Sequence, residues 1–172
     1  TCWIVAMEIL EIDTGDTAWV LVSAALVLLM TPGLAFFYGG MVRAKSVLNM
    51  LMMSITTMGI VGVLWVVVGY SMAFGESFGR FQGNPLQFAF LEGLMDPEKA
   101  TFTVPSQVFA AFQPSFAIIS LALISGAVAD RMNFSATATF AAVGALRVYL
   151  PAAHWVVAFP GGTAEKGGFI AN

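Results

Sequence analysis

Charge is what this sequence most lacks. Asp, Glu, Lys and Arg make up 10% of its 172 residues, against roughly 25% in a soluble domain, and that is too little to cover the surface of a soluble fold. Seven basic residues against ten acidic ones leave a net charge of -3 with no basic block, which excludes nucleic acid as a partner. Cys2 is the only cysteine, so no internal disulfide forms and the redox compartment is not indicated. His154 is the only histidine; with one distant cysteine it provides no metal-ligand set. There is no nucleophile, base and orienter triad and no phosphate loop. The sequence therefore points away from an enzyme, and it implies no cofactor. The opening TCWIVAMEILEI begins without Met; it is too short and wrongly flanked for a spanning helix or an intact signal peptide, as a processed or truncated start would be.

What the sequence does have is apolar length. Hydrophobic residues are 59% of the total, and they gather into four runs, at 18–38, 48–74, 105–129 and 134–155, each near or above the ~20 residues that cross a bilayer as a helix. Lipid offers no partners for backbone groups, so the spans are helices rather than open strands. The prediction is an all-α integral membrane protein with four transmembrane helices and one long connection at 75–104. Arg43, Lys45 and Arg131 fall on one side, Arg80, Lys99 and Lys166 on the other. The first span has basic residues only after it, which places the N-terminus outside. Glu76, Glu92, Asp96 and Glu98 in the long connection are compatible with an external location.

Several residues inside the spans stand out. Thr31-Pro32-Gly33 predicts a kink in the first helix, because proline withholds one N–H and crowds the carbonyl four residues back. Gly33, Gly39, Gly40, Gly59, Gly62, Gly69 and Gly126 offer close approach to other helices. In the third span, AFQPSFA sets Phe109, Phe112 and Phe116 at spacings of three and four, with Ile119, Ser120 and Leu123 continuing that face. Pro114 frees the Ala110 carbonyl beside these rings, and Gln113 and Ser115 add polar groups. Two readings follow: aromatic packing near an interface, or a site where ring faces and oxygen acceptors hold a cation. His154, in PAAHW at the end of the fourth span, reads as an interface anchor beside Trp155. Arg147 inside that span must snorkel, pair with an acid, or mark local sequence divergence. Asp130 and Arg131, at the turn between the third and fourth spans, are placed to pair with each other.

These blocks resemble the ammonium transporter family, the Amt/Mep/Rh superfamily, in its N-terminal portion. ALVLLMTPGLAFFYGGMVRAKSVLNM is similar to the family's first helix and following turn, and WVVVGYSMAFG to the end of the second. FQPSFAIISLALISGAVADRMNFSA matches the third helix and its turn, and VYLPAAHW the end of the fourth. The resemblance divides the chain into an N-terminal external segment, 1–15, a partial transporter domain, 16–155, and an external loop with a truncated end, 156–172. It implies the first part of an eleven-helix fold of two inverted halves, with one pore per subunit of a homotrimer in the cell membrane. It also implies ammonium or ammonia as the conducted species and a PII-type regulator as a partner. By motif position it assigns Phe112 to an outer recruitment site and Phe116 to the gate above the pore. The chain departs from the pattern at Val157, where the family has a tryptophan, and at Arg147. It also has neither the family's aspartate-containing stretch nor its twin pore histidines. A chain without the second half is expected to be inactive alone; the alternative function is a non-conducting membrane assembly or ammonium-sensing module.

Overall fold

A computed structural model describes residues 12–78, 82–94, 100–101, 103–158 and 170. Cys2, Arg80, Asp96, Glu98 and Lys99, and Lys166 with most of the stretch after Ala158, lie outside the described residues. Among the described residues four helices are long and apolar enough to cross a membrane: α1 (Thr14–Met41), α2 (Ala44–Phe74), α3 (Ser106–Ala127) and α4 (Phe134–Val157). Helix α1 starts where Asp13 caps it, its carboxylate accepting from the N–H groups of Gly15 and Asp16, which would otherwise lack partners. Pro32 sits inside α1 without ending it.

Helix α1 packs on α2 and α3, and α2 also packs on α4. Small residues set these approaches. The Tyr38 ring lies directly over Gly126, where an added methyl would overlap it, and the Tyr38 hydroxyl donates to the Leu123 carbonyl at 3.3 Å. Gly33, Gly40, Gly59 and Gly62 instead face open space among the described residues. Helix α1 is the most peripheral element, with 11% of its apolar window buried against 39% for α3.

Two of the helices widen by one residue part-way along. In α2 the segment Trp65–Gly69 is a π turn closed by the Tyr70 N–H on the Trp65 carbonyl; in α4 the same happens over Ala145–Tyr149, with the Leu150 N–H on the Ala145 carbonyl. A side chain at position 69 would crowd the Trp65 ring and the Leu64 carbonyl, so glycine suits the first of these turns. Pro151 follows the second and has no N–H to offer the preceding turn. Beyond them, Tyr70–Phe74 and Leu150–Val157 pack on each other.

The connection after α2 is not featureless. It forms two short antiparallel pairs, β1 (Ser77–Phe78) with β2 (Gln82–Gly83) and β3 (Ala100–Thr101) with β4 (Val104–Pro105). The Asp13 N–H donates to the Thr103 carbonyl at 3.0 Å, and the Thr103 hydroxyl to Asp16. The start of α1 and the entry to α3 therefore share one end of the bundle. At the other end Arg43 meets Asp130 at 3.8 Å. Asp130, with φ of 59°, adopts a left-handed conformation that aspartate tolerates, and its ion-pair partner is Arg43 rather than the expected Arg131.

Candidate functional site

The aromatic face of α3 divides in two. Phe112 and Phe116 pack edge to face on each other, with ring centroids 5.0 Å apart and planes at 90°. Phe112 is half-buried and Phe116 is 37% exposed, so a ring face is open to a neighbour. Phe109 packs on Phe74 of α2, 5.3 Å away at 74°. It joins a cluster in which Tyr70 and Phe74 each set a ring against Trp65 and Phe88 packs on Tyr70.

The Ala110 carbonyl, expected to be free beside the rings, is occupied. Trp65 Nε1–H donates to it at 3.2 Å, and the bond is buried. An indole can only donate, so it suits a carbonyl that has lost its own helix donor to Pro114. The sequence pattern signals this need through Pro114 but says nothing about which side chain meets it. On roughly the opposite face of α3 from Phe112 and Phe116, Ala110, Ala111, Pro114 and Ile118 line a half-open pocket of about 360 Å³, flanked by Ala24, Ala25 and Leu28 of α1 and by Gly62, Trp65 and Val66 of α2.

His154 is not an interface anchor. It is fully buried, with Nδ1 3.0 Å from the Ala73 carbonyl and Nε2 2.9 Å from the Ser77 hydroxyl. A carbonyl only accepts, so Nδ1–H donates to Ala73, while Nε2 shares a hydrogen bond with the Ser77 hydroxyl, a group that can donate or accept. The ring ties the end of α4 to the end of α2 and to β1. A lone histidine in an apolar helix gave no sign of these partners, because they come from residues about eighty positions earlier in the sequence. Val157, where a tryptophan was expected, is half-buried against the core around Trp65 and Tyr70. Arg147 lies on the π turn of α4 with its side chain exposed, and makes no ion pair among the described residues. No group of three His, Cys, Asp or Glu side chains gathers among the described residues.

Comparison with known proteins accounts for this arrangement. The model of the Ammonium Transporter Family matches residues 18–171. The chain is 59% identical over 175 residues to an ammonium transporter of Mycobacterium bovis, covering 93% of this chain and 37% of that protein. It is 44% identical over 163 residues to one of Aquifex aeolicus, covering 94% and 36%. Among solved structures, Candida albicans Mep2 superposes with a TM-score of 0.74 at 28% identity, over 84% of this chain and 32% of that one. Saccharomyces cerevisiae Mep2 gives 0.71 at 26%, over 91% and 34%. The chain thus spans about a third of the length of these proteins, and the two bacterial relatives are named as transporters and not as enzymes. Four apolar helices, their packing and the matched sequence agree: this multi-pass, all-α membrane protein chain belongs to the Ammonium Transporter Family.

Proposed function

We propose that these residues form part of a channel-like transporter that conducts ammonium or ammonia across the cell membrane, with Phe112 at an outer recruitment site and Phe116 at the gate above the pore. The observation that carries this reading is the perpendicular Phe112–Phe116 pair with Phe116 open on one side. A desolvated cation gains about 2 kcal/mol or more over an aromatic face, which offsets part of the cost of shedding water without trapping the ion. Phe112 and Phe116 lie six and ten residues into α3, or ~9 and ~15 Å along it at 1.5 Å per residue.

In this reading the N-terminus is external, the full-length protein is a homotrimer and its cytoplasmic side engages a PII-type regulator. The 172 residues alone, about 37% of a relative's length, do not close a pore. The test is methylammonium uptake by the full-length transporter carrying Phe116→Ala. A changed rate or altered selectivity is expected; uptake equal to wild type at equal surface expression would remove the gating role.

A further inference from the structure

We infer that Trp65 is a positioning residue for the phenylalanine pair: its indole N–H supplies the donor that Pro114 withholds, and so fixes the turn of α3 that carries Phe112 relative to Phe116. This rests on the reading of the pair given above. The turn from Ala110 to Pro114 is the weak point of α3, because the bond from residue 114 back to residue 110 cannot form. Such gaps let a helix bend. Phe112 sits inside that turn and Phe116 beyond it, so a bend at Pro114 changes the separation and angle of the two rings.

Two observations make the Trp65 bond the restraint. The flank of this turn opposite the rings lines a pocket of about 360 Å³, so packing on that flank is incomplete. Trp65 itself is held firmly. It is 3% exposed, its ring meets Tyr70 and Phe74 edge to face at 6.3 and 6.4 Å, and it opens the π turn that Gly69 permits. Phe74 also packs on Phe109, the residue before Ala110. The α2 helix thus grips the turn at two successive positions, once by a polar bond and once by a ring contact.

The test is a double-mutant cycle in the full-length transporter. Trp65→Phe keeps a ring and removes the donor; Pro114→Ala gives residue 110 back its own helix donor and makes the indole bond redundant. In the wild-type background Trp65→Phe should raise KM for methylammonium about five-fold, the worth of one hydrogen bond, with Vmax per surface molecule unchanged. In the Pro114→Ala background the rise should shrink below about two-fold. An equal rise in both backgrounds, or none in either, overturns the inference. Should Trp65→Phe fail to fold, hydrogen exchange of the Trp65 indole N–H decides: protection in the wild-type protein and faster exchange in Pro114→Ala support the bond, and equal exchange overturns it. Phe116→Ala is measured alongside. If it alters uptake while the cycle shows no coupling, the positioning role fails and the gate stands; if it alters nothing, the gate fails and the positioning role with it.

Discussion

An imidazole with a carbonyl on one nitrogen and a hydroxyl on the other has both ring nitrogens satisfied. His154 is in that state, fully buried between Ala73 and Ser77. Replacing it by alanine leaves the buried Ala73 carbonyl and the half-buried Ser77 hydroxyl without this partner. His154→Ala is expected to lower unfolding stability by about 2 kcal/mol or more, and Ser77→Ala by about 1 kcal/mol. Thermal unfolding of the detergent-solubilised chain measures both, and equal melting temperatures for wild type and His154→Ala would show that the two bonds contribute nothing net. Trp65 follows the same logic with one bond instead of two. At this scale the sequence was least informative. The pairs Trp65–Ala110, Ser77–His154 and Arg43–Asp130 each join residues more than forty positions apart, and no local pattern announces such a partner.

The helices themselves were legible, because a run of apolar residues long enough to cross hydrocarbon has one stable backbone solution. The four observed helices follow the four runs, and the periodicity at 109, 112 and 116 did bring Phe112 and Phe116 together. Periodicity failed where the helix stopped having 3.6 residues per turn: neither π turn can be read from an apolar stretch that looks the same in either geometry. Glycine roles were half legible. Gly126 is needed where it stands, since the Tyr38 ring occupies the space of its missing methyl. Gly126→Ala should push α1 from α3 and cost about 1–3 kcal/mol, the range for overpacking, while Gly33→Ala, which faces open space, should cost little or gain slightly through helix propensity. The comparison is made by thermal unfolding of the two variants side by side.

Taken whole, the described residues place buried polar bonds along the bundle, from Ser54 with Ser125 through Trp65 with Ala110 to His154 with Ala73, and leave much of their apolar surface uncovered. Trp19, Leu29, Phe36, Phe37 and Met41 of α1 are all exposed, a surface suited to hydrocarbon or to further helices rather than to water. In the proposed transporter the conducting pathway has further walls from residues outside these helices, so the 172-residue chain reconstituted in proteoliposomes is expected to show no saturable methylammonium uptake. Saturable uptake by this chain would mean that copies of it supply the missing wall to one another. The two π turns bear on how such a molecule changes over time. Each carries one residue more than an α-helix of the same reach requires. Losing a residue elsewhere in α2 or α4 would swing every later side chain by about 100°. A deletion within Trp65–Gly69 or Ala145–Tyr149 would instead restore an ordinary helix and leave both ends facing as before. Each of α2 and α4 can thus lose one residue within its π turn without turning His154 away from Ser77.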